Sequence, residues 1–200
     1  MALDSYSNLK AELLSLMHRQ DLSPQADTAI DLCESQMNRE LRTIKQEVRS
    51  TGAIDTQYVM LPDDFLELRN IQLNTSPIQI LRYLSPEAMD SLGVTTGRPI
   101  YYTFVGNELQ LAPTPAGEYT VEIDYFSKIP ALSDANTTNF VLVNWPELYL
   151  YGSLAHLAMF IMDETRAAGY QGVFLDAMGR VKAQDKKARY NGNAMAPRVL

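Results

Sequence analysis

The stretch YVMLPDDFLELRNIQL, residues 58–73, decides how the middle of the chain folds. Leu61 precedes Pro62, and a residue before proline favours extended backbone, so a strand should end there. Pro62 suits the first position of a helical turn, and Asp63 and Asp64 suit the dipole of that turn. The stretch therefore predicts a strand, a tight acidic turn and a second strand. Two adjacent carboxylates can also form a catalytic dyad, but no companion base or metal ligand is near them in the sequence.

A short helix is predicted near the beginning of the chain. Ser5 or Ser7 suits its N-cap, and the helix should end at about Gln20. The stretch Leu22-Ser23-Pro24 then predicts a stop and a restart, because serine suits an N-cap and proline suits the first helical position. The apolar side of this first helix carries Leu9, Leu13, Leu16 and Met17.

A second, longer helix is predicted to end at Thr51-Gly52. Cys33 lies in its apolar stripe and is the only cysteine, which predicts a buried structural thiol rather than a reactive one and excludes an internal disulfide. On the charged side, Asp27, Asp31 and Glu34 are interpreted as a solvated face near the N-terminal dipole, and the alternative is a metal site. The apolar stripe recurs every three or four positions at Ile30, Cys33, Met37, Leu41, Ile44 and Val48.

Short strands are predicted between the helical parts of the chain. Gly106-Asn107 suits a two-residue hairpin connection, and Ser85-Pro86-Glu87 predicts the start of a brief helix. Because the strands are close in sequence, a mostly antiparallel meander is expected. The predicted strands are Gln57–Leu61, Leu66–Leu73, Ile78–Leu84, Pro99–Val105, Glu108–Leu111 and Tyr119–Phe126.

Helical periodicity returns at Trp145-Pro146-Glu147 and continues into a last helix at about Glu164–Arg189. The predicted fold is α+β, a four-helix bundle with an inserted, mostly antiparallel β-sheet region and an extended C-terminal tail. The predicted regions are a helical hairpin at 1–50, the inserted β region at 51–140, the helices that complete the bundle at 141–189 and a flexible tail at 190–200.

The charge of the chain is distributed unevenly. The net charge is -7, but residues 179–200 carry +5 and the remaining residues carry -12. The acidic body should be repelled by nucleic acid, while the basic end can approach phosphates or an acidic protein surface. DNA contact is an alternative for this end, although aromatic residues are missing there beyond Tyr190 and a helix C-terminus favours basic residues in any case. The basic residues are Arg180, Lys182, Lys186, Lys187, Arg189 and Arg198.

Neither a catalytic motif nor a cofactor motif is found. The two histidines are separated in the sequence; His18 is interpreted as a helix-end residue and His156 as a core or helix-edge residue rather than a catalytic one. No G-x-S-x-G, H-E-x-x-H, phosphate-binding or dinucleotide-binding motif is present. We therefore predict a protein that is not an enzyme and that has no metal and no cofactor. The N-terminus lacks the apolar core of a signal peptide, and the longest apolar stretch is too short and too polar for a membrane span, so a soluble intracellular protein is expected.

Three stretches resemble the head-to-tail adaptor, or connector, proteins of tailed bacteriophages. Their strongest elements are the LPDDFLE turn, the G-x-P-x-x-Y run before GNELQLAPTP, and the region from DYFSKIPALSD to YLYGSLAHLA. These are signatures of a fold rather than of catalysis, and the family has no active-site residues to transfer. The stretches are YVMLPDDFLELRNIQL, ILRYLSPEAMDSLGVTTGRPIYYTFVGNELQLAPTP and EYTVEIDYFSKIPALSDANTTNFVLVNWPELYLYGSLAHLA.

The resemblance implies a structural virion protein at the head–tail neck, made in the host cytoplasm. It implies a ring of 12 copies that lies under the portal ring, extends the DNA channel close to the packaged DNA and presents a platform to a downstream tail protein. The alternatives are a head-completion or tail-terminator protein, or a small enzyme or regulator with an unrecognised site. In the family the C-terminal segment reaches the portal, which here implies contacts by Arg189, Tyr190, Asn191, Met195, Arg198, Val199 and Leu200.

Overall fold

A computed structural model describes residues 3–93 and 95–190, with only the backbone of Tyr190, and divides the chain into two units. The first, the helical unit, comprises Met1–Lys45 and Ile129–Leu200. The second, the sheet unit, comprises Gln46–Lys128. Of the predicted tail, everything after Tyr190 lies outside the described residues.

The described residues form six α-helices, so the predicted four-helix bundle is not confirmed. Four helices are long, while α3 and α4 are short and α3 belongs to the sheet unit. Within the helical unit α5 is central, because it packs against α1, α2, α4 and α6. The helices are α1 (Tyr6–Met17), α2 (Ser23–Glu40), α3 (Pro86–Ser91), α4 (Phe140–Asn144), α5 (Pro146–Phe160) and α6 (Glu164–Tyr190).

Close packing of the helical unit depends on Gly152 in α5. A Cβ atom at this position would overlap the sulfur of Cys33 in α2 and would lie 3.0 Å from the ring of Phe174 in α6. Only glycine therefore lets the three helices approach this closely. The largest fully buried side chains of this core are Leu9, Leu13, Ile30, Met37, Leu41, Leu142, Leu148, Tyr149 and Phe174.

The prediction that the second helix continues to Thr51-Gly52 was wrong. The helix ends at Glu40, where the backbone of Leu41 becomes extended and its N–H donates to the Met37 carbonyl at 2.7 Å. Leu41 is fully buried, but Ile44 is 42% exposed, so the apolar stripe does not continue as one face. Residues Glu47–Ile54 form a strand instead, because they pair with Tyr119–Phe126, which lie 65 to 79 positions later in the chain.

The first helix also ends earlier than the predicted Gln20. It stops at Met17, and His18 takes the left-handed conformation with φ 54°. Ser5 is the N-cap, since its side chain accepts a hydrogen bond from the Asn8 N–H at 3.4 Å. Leu16, predicted on the apolar side, is 40% exposed.

The sheet unit contains three sheets. Their strand orders are β1-β10-β3-β4, β2-β8-β7-β5 and β6-β9. All pairs are antiparallel except β5–β7 and β6–β9. The strands are β1 (Glu47–Ile54), β2 (Tyr58–Met60), β3 (Phe65–Leu73), β4 (Gln79–Ile80), β5 (Arg82–Tyr83), β6 (Thr96–Gly97), β7 (Tyr101–Val105), β8 (Glu108–Ala112), β9 (Thr114–Pro115) and β10 (Tyr119–Ser127).

The expected meander was wrong, because the first and last strands of the unit are neighbours. Glu47 lies opposite Phe126, and Ile54 lies opposite Tyr119. Just outside this ladder, the Ser127 hydroxyl donates to the Gln46 carbonyl at 3.1 Å, and the Gln46 side chain donates to the Ser127 carbonyl at 3.3 Å. The two ends of the sheet unit are thereby joined. Within it, the predicted strand Ile78–Leu84 is split between two sheets at the buried Leu81.

The core of the sheet unit lies between its first two sheets. The predicted hairpin is confirmed, with Gly106 at φ 62° in the turn between β7 and β8. A positive φ of this kind favours glycine. The buried residues of this core are Ile54, Leu61, Ile71, Leu73, Leu81, Leu109, Leu111 and Val121.

Candidate interaction surfaces

The acidic turn at Asp63 and Asp64 is structural, as predicted. The Tyr125 hydroxyl donates to Asp64 Oδ1 at 2.9 Å, and the Lys128 backbone N–H donates to the Asp64 carbonyl at 2.7 Å. The Lys128 ammonium donates to the Asp63 carbonyl at 2.9 Å. Burial and the Asp64 carboxylate raise the pKa of Tyr125 to about 12. The turn therefore fixes the start of β3 against the end of β10.

The acidic side of α2 is not the uniformly solvated face that was predicted. Asp27 forms an ion pair with Lys10 at 2.6 Å and accepts a hydrogen bond from the Tyr6 hydroxyl at 2.7 Å. Asp31 is exposed, whereas Glu34 is only 5% exposed. Glu34 is buried because later parts of the chain supply donors that its place in the sequence does not reveal.

Glu34 binds a connecting segment to the helical core. Its Oε1 atom accepts from the Leu132 N–H and from the Tyr149 hydroxyl, both at 2.8 Å. The Asn139 amide donates to the Tyr149 hydroxyl at 2.6 Å and to the Pro130 carbonyl at 2.7 Å. Burial raises the pKa of Glu34, since these donors offset only part of the lost hydration. The network holds the segment between β10 and α4 against α2 and α5.

The lone thiol is buried in α2, and the two histidines lie at the end of α1 and in α5. Cys33 is fully buried, donates to the Leu148 carbonyl at 3.5 Å, and its pKa is raised to about 12 by burial. His18 is exposed at the end of α1. His156 is half-buried on α5, and burial, with the charge of Arg39, lowers its pKa. The interpretations of Cys33 as structural and of His156 as a helix-edge residue are both confirmed.

An apolar ridge, defined as Met159, Phe160 and Met162, is exposed at the end of α5 and in the turn to α6. The exposed fractions are 60%, 59% and 88%, and Met162 has a left-handed backbone with φ 59°. The ridge adjoins a hollow of about 340 Å³ between α2 and α5, lined by Leu32 and Phe160, and one of about 530 Å³ between α5 and α6, lined by Met159. His156 borders both. Grouped exposed apolar residues of this kind mark protein interaction sites.

The predicted basic end of α6 is partly neutralised by contacts within the helical unit. Arg180 pairs with Asp176, Lys182 pairs with Glu40 at 3.3 Å, and Arg189 pairs with Asp185 at 2.7 Å. Lys186 and Lys187 are exposed. Of the predicted portal contacts, the structure places only Arg189, which is half-buried. The side chain of Tyr190 and all of Asn191, Met195, Arg198, Val199 and Leu200 lie outside the described residues.

The face of the first sheet that is turned away from the core carries a polar network around Glu122. This carboxylate accepts from Arg49 at 2.6 Å and from Gln72 and Asn74, each at 3.2 Å. The hydrogen bond from Arg49 is the main reason that the pKa of Glu122 is lowered. The network connects side chains from β1, β10 and β3 and the residue that follows β3. This face is therefore well ordered and polar.

Residues 3–93 and 95–190 contain neither a grouped metal-binding cluster nor a helix suited to a membrane. In these ranges no three His, Cys, Asp or Glu side chains are grouped in a way that suits a metal ion. None of the described helices has both the length and the apolar character of a membrane span.

Sequence reasoning missed the apolar ridge and the buried position of Glu34. Met159 and Phe160 continue the apolar run of α5, so the sequence contains no signal that they turn outward. For Glu34 the only available signal was its position directly after Cys33, at the border of the apolar stripe.

The sequence of nearly the whole chain matches a family model. A family model described as SU10 adaptor protein matches residues 4–198, which include the whole sheet unit and most of the helical unit. No curated protein matches the chain.

Proposed function

We propose that this chain, which belongs to the SU10 adaptor protein family of phage head-to-tail adaptors, forms a ring beneath the portal of the virion. The family makes it a structural component of the virion and implies contacts with portal and tail components. We propose that the ring contains 12 copies and lies at the head–tail neck. There it extends the DNA channel and presents a platform to the next tail protein. The match over residues 4–198 carries this proposal.

The charge distribution supports a position near packaged DNA without tight binding. Outside residues 179–200 the chain carries -12, and like charges of this size repel the phosphate backbone. A channel wall with this charge lets DNA pass because few counterion-releasing contacts form. We therefore propose that the ring lies close to the packaged DNA but does not recognise it.

The apolar ridge supports a function in assembly. Met159, Phe160 and Met162 expose more than half of their surfaces, although apolar side chains gain free energy when they leave water. A protein that works inside a particle has partners to cover such residues.

The C-terminal segment is proposed as the portal contact. Residues 179–200 carry +5, opposite in sign to the rest of the chain, so they can approach an acidic partner that repels the body. Arg189 is held by Asp185 within α6, which favours the later residues as the direct contacts. The proposed contacts are Arg189, Tyr190, Asn191, Met195, Arg198, Val199 and Leu200.

Co-sedimentation with the purified portal ring of the same phage tests the function. The full chain is compared with a chain that stops after Tyr190, because this truncation leaves α6 and the Arg189–Asp185 ion pair in place. A second variant keeps the full length and replaces only Lys186 and Lys187 with Ala, which separates loss of charge at exposed positions on α6 from loss of the residues after Tyr190.

We expect the full chain to sediment with the portal ring and the truncated chain to remain in solution. The lysine variant should still sediment, but more weakly, because it has lost two of the positive charges of residues 179–200. If the truncated chain also sediments, the adaptor function stands and the proposed anchor is wrong. If the full chain fails to bind at micromolar concentration, binding to the portal is contradicted. Binding to purified tail components in that case favours a head-completion or tail-terminator protein.

A further inference from the structure

We propose that neighbouring copies of the chain join through the two outer strands of the first sheet, β1 of one copy and β4 of the next. This inference rests on the proposed ring and names the contact that links its subunits. The strand order β1-β10-β3-β4 makes β1 and β4 the two outer strands. Among the described residues, neither has a strand partner on its outer side.

The strand directions suit such a joint. The pairs β1–β10, β10–β3 and β3–β4 are all antiparallel, so β1 and β4 run in opposite directions. When β4 of one copy lies beside β1 of the next with the same face outward, the antiparallel alternation continues across the joint. Because the contact uses two different surfaces of the chain, it repeats head to tail and can close into a ring.

The outer edge of β1 is accessible and lacks protection in its second half. Thr51, Gly52 and Ala53 are exposed, small and uncharged, whereas edge strands are usually protected by charges, prolines or bulges. A cleft of about 240 Å³ lies between Ser50–Ile54 and Val59–Pro62. The cleft separates β1 from β2, so among the described residues β2 does not cover the outer edge of β1.

The opposite edge carries exposed apolar side chains. Ile78 is 61% exposed and Ile80 is 58% exposed. The pairing register places Ile80, Gln72, Glu122 and Thr51 in one row across the sheet. Because side chains alternate along a strand, all four lie on the polar outer face. Ile80 therefore lies beyond the polar network, where its own copy does not cover it.

Continuation of the sheet removes these isoleucines from water. The joint places Ile78 and Ile80 of one copy beside the row that contains Thr51 in the next copy, where the small side chains of Thr51 and Ala53 leave space. Backbone hydrogen bonds between the strands would supply the pairing, and the two isoleucines would supply the apolar contact. The partner that fits this edge is therefore a second copy of the chain.

Paired cysteines in the full-length protein test the joint. Thr51→Cys with Ile80→Cys, and Ala53→Cys with Ile80→Cys, sample two registers, since opposite Cα atoms in antiparallel strands lie about 4.5–5.5 Å apart, within reach of a disulfide. Cys33 is fully buried and should not react. The matched control is Thr51→Cys with Tyr83→Cys, because Tyr83 is 55% exposed but lies in the second sheet.

The two test pairs and the control pair are oxidised gently, each in concentrated free protein and in the portal complex. We expect a ladder of disulfide-linked oligomers from at least one pair and no ladder from the control. Adding Ile78→Asp to the productive pair should abolish the ladder, while Val143→Asp, at a position that is 67% exposed, should leave it intact. Circular dichroism checks that each variant is folded.

The absence of a ladder from both pairs, in free protein and in any portal complex that forms, overturns the joint. A ladder of equal length from the control overturns it as well. If the variants bind the portal ring without cross-linking, the joint is wrong and the adaptor function stands. If the unmodified chain does not bind the portal ring, the proposed function fails, and the free protein still decides the joint.

Discussion

The hydroxyl of Tyr149 donates a hydrogen bond of 2.8 Å to the carboxylate of Glu34, and both side chains are buried in the helical unit. The bond joins α5 to α2. Because the same carboxylate oxygen accepts from the Leu132 N–H, the segment before α4 depends on it too. The acidic residue is thus part of the framework of the unit rather than of its solvated surface.

Tyr149→Phe should lower the free energy of unfolding by about 1.5–3 kcal/mol, because it removes a buried hydrogen bond to a charged group. Urea denaturation followed through Trp145 fluorescence measures the loss. Tyr83→Phe is the control, since Tyr83 is 55% exposed, and its effect should stay within about 0.5 kcal/mol. Equal effects of the two substitutions would contradict the importance of the buried bond.

Glu34→Gln should change how stability depends on pH. The pKa of Glu34 is raised by burial in the folded protein, above its ordinary value in the unfolded chain. Between these two pKa values the folded state holds a proton that the unfolded state has lost, so stability falls as pH rises through this window. The unfolding free energies of the native chain and of the variant, measured in urea at several pH values, should diverge there. Parallel profiles would show that burial of the carboxyl has no such effect.

Gly152→Ala should destabilise the helical unit by about 1–3 kcal/mol, because the added methyl overpacks the junction of α2, α5 and α6. Gly179→Ala in α6 is the control, since a methyl there meets no atom within 4 Å and should gain up to about 1 kcal/mol of helix propensity. Thermal and urea unfolding measure both.

Cys33→Ala identifies the source of that overpacking. Combined with Gly152→Ala, it should recover part of the lost stability, because the Cys33 sulfur is the nearest atom to the added methyl. Strict additivity of the two substitutions would place the clash elsewhere.

Asp64→Ala should cost at most about 1 kcal/mol, because it removes one partly exposed hydrogen bond from the Tyr125 hydroxyl. The backbone contacts of the turn to Lys128 remain. Asp64→Asn keeps a side-chain acceptor and should retain most of the stability in the same urea assay. A loss above 3 kcal/mol for the alanine variant would mean that the turn does more than hold β3 against β10.

Leu41→Ala should cost about 2–5 kcal/mol, since Leu41 is fully buried directly after α2. Leu32→Ala is the control because Leu32, within α2, is 48% exposed. The free energies of unfolding of the two variants, measured at equilibrium, are compared. A loss under 0.5 kcal/mol for Leu41→Ala would place this residue outside the core.

Local signals predicted the elements of the chain better than their ends and neighbours. Pro62 and Gly106 marked turns correctly, because their backbone preferences act within a few residues. The second helix was extended too far because Ile44 and Val48 happen to keep helical spacing. The strand that includes Val48 is specified by its pairing with Tyr125, and a contact of that range leaves no periodicity in the sequence.

The candidate surfaces were predictable only in part. The uneven distribution of charge along the sequence predicted the basic end. It did not predict the ion pairs that hold Lys182 to Glu40 and Arg189 to Asp185. Met159 and Ile80 are apolar residues in apolar runs, and only the fold shows that they are exposed. Burial depends on the whole structure, so a single sequence cannot separate a core residue from a contact residue.

The hydrogen bonds between Gln46 and Ser127 hold the two ends of the sheet unit close together. The sheet unit is therefore an insertion whose chain enters and leaves at neighbouring points. For the flanking residues Lys45 and Ile129, the insertion spans no greater distance than a short loop would, because its two ends are close together. Such an insertion can be exchanged for another of different length without a new path for the flanking chain. Recombination or protein engineering can therefore exchange residues 46–128 as one segment and keep the helical unit unchanged.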